Sequence, residues 1–164
     1  MIQPRTINRL IIWSVVLAVV VTGLVVGLLK VFTDDKNSSS TAAYCNQVSN
    51  KQSQISAIAT SVDTQTALIN GLALFQSLAS SAPADISAQW MTLNTAIEGL
   101  KAAIAATGHR PSDFANGSFP GGLTSAQKVS VVAAADTLGS AITTTALSQI
   151  VQEVRDVCQV DLNL

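Results

Sequence analysis

Apolar residues follow two regimes along the chain. From Leu10 to Leu29 they run for twenty residues without a charge. Beyond residue 40 they recur every three or four positions among polar neighbours. The first pattern predicts a helix apolar on all sides. At about 1.5 Å per residue it spans roughly 30 Å, the thickness of a bilayer's hydrocarbon core. The second predicts amphipathic helices packed on one another.

The spanning helix is placed at 10–32. Arg5 and Arg9 precede it, whereas Lys30 and Lys36 are offset by Asp34 and Asp35. That bias puts residues 1–9 in the cytoplasm and everything after the span outside the cell membrane. The apolar run is too long for a cleaved signal and lacks a small-x-small site close behind it, so it reads as an uncleaved anchor. Gly23 and Gly27 form one small-residue face on this helix; Ser14, Ala18 and Thr22 form another, nearly opposite. Such faces let neighbouring helices approach closely. Residues 33–40, ending in Ser38-Ser39-Ser40, are polar and turn-forming and read as a tether.

Residues 41–164 read as an all-α, antiparallel helical bundle. Its clearest helix runs from Ala84 to Thr107. Ile86, Trp90, Leu93, Ile97, Leu100 and Ile104 form one narrow apolar seam, with Pro83 at the start and Gly108 at the end. A last helix begins after Thr124, where Thr124 and Gln127 fit a capping box. Its expected core face is Val131, Ala135, Leu138, Ile142, Ala146, Ile150 and Val154, with Gly139 a weak point. Residues 41–81 are also helical in pattern, through Val48, Ile55, Ile58, Val62, Ile69, Leu72, Phe75 and Leu78. The polar run Thr60 to Thr66 offers a break there, but neither Pro nor Gly enforces it.

Composition narrows the classes. The 164 residues are 48% hydrophobic, 4% aromatic and 12% charged. After residue 36, five cations face eight acids. No clustered basic footprint exists for a nucleic-acid partner.

The chain has two cysteines, Cys45 and Cys158. Tyr44 and the distance from the membrane argue against a lipid-attachment signal at Cys45. With one histidine and no CxxC pair, a zinc site is not supported. In an oxidising compartment a disulfide is the default. Helix counting then matters. Three up-down-up passes would leave the two cysteines at opposite ends, while four passes, with a break near residues 61–64, bring them together. The alternative keeps three long helices and uses the loop as a crossover.

That loop, Gly108 to Leu123, exceeds ordinary connections. It holds Phe114 and Phe119, which either cover the core or anchor a partner. His109, Ser112 and Asp113 lie close in sequence, but a short-spaced trio in a loop is poor evidence for a catalytic triad. The sequence supports no catalytic residue, cofactor site or metal site.

Ala82-Pro83-Ala84-Asp85-Ile86 with Trp90 and Leu93, and the ending Val157-Cys158-Gln159-Val160-Asp161-Leu162, resemble small extracytoplasmic helical proteins of actinobacteria. The resemblance implies pairing of the C-terminal cysteine with an early one. Most such proteins are lipid-anchored, whereas this chain carries a spanning helix. Some single-span proteins of this general type are accessory subunits of envelope complexes, including the respiratory cytochrome bcc–aa3 supercomplex. The expectation is therefore a non-catalytic accessory or scaffolding subunit, with the lipid bilayer and a larger membrane complex as partners. The alternative is an extracytoplasmic sensor or binding module for a small apolar ligand.

Overall fold

The computed structural model describes residues 40–162. The expected cytoplasmic N-terminus and spanning helix, with Ser14, Ala18, Thr22, Gly23 and Gly27, lie outside the described residues, as does the tether up to residue 39. Ser40 is already helical.

The described residues are all-helical, with no strand among them. Helix α1 covers residues 40–59. It is followed by α2 (Thr64–Ser81), α3 (Ser87–Ala105), a 3-10 turn (Pro111–Gly117), α4 (Ser125–Leu138) and α5 (Ala141–Cys158). The break between α1 and α2 falls in the polar run and is made by side chains. Thr60 Oγ1 donates back to Ser56 O at 2.8 Å, closing α1. Asp63 Oδ1 accepts the Thr66 amide at 3.1 Å, capping α2. Val62, expected in the core, is fully exposed because it lies in this turn rather than on a helix face.

Contacts between the helices fix their directions. Near the start of α1, Gln47 bonds Ser77 at 2.6 Å and also Ser81, at the end of α2. Farther along α1, Ile58 packs over Gly71, where a Cβ would lie 2.4 Å from Ile58 Cδ1. At the far end of α3, Ala106 O accepts from Gln127 of α4 at 3.3 Å. Helices α4 and α5 both pack on α3 and follow one another as a single interrupted pass. The path is four passes, with α1 and α5 joined through Cys45 and Cys158 at a Cα–Cα distance of 5.0 Å.

The predicted α3 seam is buried throughout, from Ile86 to Ile104. The helix starts three residues later than expected, because Pro83 to Ile86 form a turn in which the Ile86 amide bonds Pro83 O at 3.2 Å. The expected face of the last helix needs correction. Ile142 is 74% exposed, and Thr143 takes the core position. The break at Gly139 and Ser140 resets the register. Ser140 Oγ caps the Thr143 amide at 3.3 Å, and Thr143 Oγ1 reaches back to Thr137 O at 2.8 Å. The Thr124–Gln127 capping box is present as expected.

Taken together, Ser125–Cys158 is long and apolar enough by composition to cross a membrane. Here that stretch serves as a wall of the bundle. Its apolar seam faces α3, it is interrupted at Gly139, and its outer α5 face carries Gln152, Arg155 and Asp156.

Candidate functional site

The disulfide end of the bundle is closed by polar pairing. Trp90 Nε1 donates to the Tyr44 hydroxyl at 3.1 Å, with both residues about 1% exposed. Burial pushes the Tyr44 phenol up to about 12, and the carboxylates of Glu153 and Asp85 add to the shift while the Trp90 bond opposes it. After Cys158, Gln159 turns left-handed at φ 56°, and its amide bonds Val154 O. The tail then folds onto α1. Gln52 donates to Asp161 O at 3.0 Å, Arg155 meets the Asp161 carboxylate at 3.0 Å, and Leu162 is buried. This end is a structural clasp.

The loop separates the two phenylalanines. Phe114, on the 3-10 turn, is buried against the core, so it does not present a ring to a partner. Phe119 is 42% exposed and packs edge-on against Phe114. The loop's polar residues are used in folding it. Asp113 accepts from the Arg110 amide at 3.0 Å and its guanidinium at 3.2 Å, and lies 3.8 Å from His109 Nδ1. The Arg110 backbone bond, chiefly, holds the Asp113 carboxyl below its usual range. His109 packs edge-on against Phe114. Asp113 thus orders the loop around its 3-10 turn. Among the described residues no group of three or more His, Cys, Asp or Glu side chains could hold a metal ion.

Two features have no such structural explanation. The first is the outer face of α4. Val131 is buried, but Val129 is 68% exposed and Val132 45% exposed, with Ala126 and Ala133 exposed on the same face. Exposed Lys128 borders Val132 at one margin of this strip, Asp136 closes its C-terminal end, and Phe119 lies beside Val132 around a shallow cleft of about 250 Å³. A helix apolar on its outer side as well as its inner one is usually covered.

The second is an apolar cavity of about 200 Å³, open to solvent on the side of the exposed Thr64 and Thr144. Ile58, Leu68, Phe75, Trp90, Leu93, Leu138 and Leu147 form its walls, with Ala59, Thr64, Thr143 and Thr144 completing them. It sits where two helix interruptions meet. Ile58, Ala59 and Thr64 flank the α1–α2 turn, and Leu138, Thr143 and Thr144 flank the α4–α5 break. No single-helix periodicity announces such a site, because it depends on the pairing of distant breaks. Compared with protein-family models, with curated proteins and with solved structures, the chain matches none.

Proposed function

We propose that this chain is a non-catalytic accessory or scaffolding subunit of a larger bacterial envelope or respiratory membrane complex. In this reading residues 10–32 anchor it with the N-terminus in the cytoplasm, and an antiparallel four-helix bundle stands outside. The observation that carries the reading is the outward apolar face of α4, with Val129, Val132, Ala126 and Ala133 beside the half-exposed Phe119. A partner helix of apolar character, with polar residues at its margins to meet Lys128 and Asp136, fits this strip. The Cys45–Cys158 disulfide supports an oxidising location for the bundle. Purification of the full chain in mild detergent is expected to recover a stoichiometric membrane-protein partner. Val129→Asp is expected to lose that partner while the bundle stays folded, because residue 129 points away from the core. A clean monomer from the wild-type chain overturns the reading.

A second reading is favoured by the cavity beside Trp90. The outer bundle would then hold a small apolar molecule, and its occupancy would be what the module senses.

A further inference from the structure

We propose that the cavity beside Trp90 binds a small, neutral, single-ring molecule that carries one O–H or N–H donor, with a phenol as the type case. The inference rests on the second reading above and deepens it by naming the chemistry of the ligand.

Size sets the first limit. Pockets for drug-sized ligands run to roughly 300–1,000 Å³, and an apolar cavity of roughly 150 Å³ is enough for benzene. At about 200 Å³ this cavity admits one ring with a small substituent. Charge sets the second. Its lining contains no Asp, Glu, Lys, Arg or His, so no side chain there would pair with an ionised ligand, and the apolar walls favour a neutral one.

Hydrogen bonding sets the third limit. Four lining residues carry a side-chain donor, and each proton is already committed. Thr143 Oγ1 donates to Thr137 O at 2.8 Å, Thr144 Oγ1 to Ser140 O at 3.0 Å, and Thr64 Oγ1 to Ser61 O at 3.1 Å. Trp90 Nε1 donates to the Tyr44 hydroxyl at 3.1 Å. A hydroxyl has one proton and two lone pairs, so the threonines retain capacity to accept but not to donate. Thr143 uses part of that capacity on Ser140 Oγ, 3.2 Å away. A ketone, ester or carboxylate needs a donor from the wall and finds none uncommitted. A phenol or indole supplies the donor itself and buries its ring against Phe75, Trp90 and Leu93.

The test uses the full chain in lipid nanodiscs, with para-fluorophenol and fluorobenzene titrated separately and followed by fluorine NMR. Partition into lipid does not saturate, whereas binding to a single cavity does. Saturable binding of both is expected, with the phenol about threefold to tenfold tighter, the worth of one added neutral hydrogen bond. Ala59→Phe places a ring in the cavity and is expected to abolish the saturable part for both probes. Should that variant fail to fold by circular dichroism, the emission of Trp90 in a Trp13→Phe chain replaces it. Its saturable change must then track the fluorine titration. Equal affinity for the two probes overturns the donor inference but leaves the apolar-ligand reading standing. Absence of saturable binding for both probes overturns the two together. Saturable binding that survives Ala59→Phe, or leaves Trp90 emission unchanged, places the ligand elsewhere and also overturns the proposal.

Discussion

Replacing Cys45 and Cys158 together by serine tests the topology through its energetics. The bond closes a loop of 113 residues. The chain-entropy relation gives about 16 cal/mol/K for a loop of this length, or about 4.8 kcal/mol at 25 °C, removed from the unfolded state. Unfolding a bundle of residues 40–162 carries an entropy of roughly 260 cal/mol/K near its midpoint, at about 2.1 cal/mol/K per residue. Loss of the bond should therefore lower Tm by about 18 °C. The tail contacts from Gln52 and Arg155 to Asp161 do not involve the sulfur atoms. They persist in the variant, so the folded state changes little. The assay is thermal unfolding of the full chain in nanodiscs, followed by far-ultraviolet circular dichroism with and without reductant. Reductant should lower the wild-type midpoint to that of the double-serine chain and leave the latter unmoved. A fall of less than about 5 °C would refute the reasoning, because a loop this long cannot be closed so cheaply from a disordered chain.

Other expectations follow from local geometry. Tyr44 is the only tyrosine in the sequence, and its phenol is pushed up to about 12 by burial. The folded state therefore favours the neutral phenol, and its stabilising contribution is kept below pH 10 and lost as pH rises from about 10 toward 12. A spectrophotometric titration should show phenolate forming near pH 12 in the folded chain and near pH 10 in denaturant. Tyr44→Phe should cost about 1–3 kcal/mol in denaturant unfolding, since Trp90 Nε1–H then stays buried without its acceptor. Asp63→Ala should cost about 1 kcal/mol by removing the cap of α2, with Asp63→Asn retaining most of it in the same assay. Gly71→Ala should change stability by less than about 1 kcal/mol, because the gain in helix propensity offsets displacement of Ile58. Since Ile58 also lines the cavity, the same variant should weaken binding of para-fluorophenol.

Legibility in the sequence tracked how local each cause was. The α3 seam was readable because six apolar residues keep one spacing between Pro83 and Gly108. The Thr124–Gln127 cap was readable because its two partners lie three residues apart. The four-pass path is legible because a disulfide's short reach brings Cys45 and Cys158 to one end of the bundle, and Asp63 supplies the break that such a path needs. What stayed hidden depends on resets and on distant partners. Ile142 continues the periodicity of Leu138, but the interruption at Gly139 and Ser140 turns it outward and brings in Thr143. In sequence Tyr44 bears only on the lipid signal at Cys45, whereas its place in the core is set by Trp90, 46 residues away. Phe114 and Phe119 sit in the same loop, and the 3-10 turn, which carries Phe114 and ends at Gly117 ahead of Phe119, decides which is buried. The cavity arises from two breaks that meet in space, so nothing in either segment alone marks it.

The accessory-subunit account is tested most directly by placing a photocrosslinking side chain at position 129 of the full chain and irradiating intact membranes. Position 53, exposed on α1, serves as the control. The account predicts one dominant adduct with a membrane protein from position 129, formed in stoichiometric yield and lost when Val132→Asp is added, with no matching adduct from position 53. Absence of any adduct at 129, or the same mixture of adducts from both positions, would contradict it.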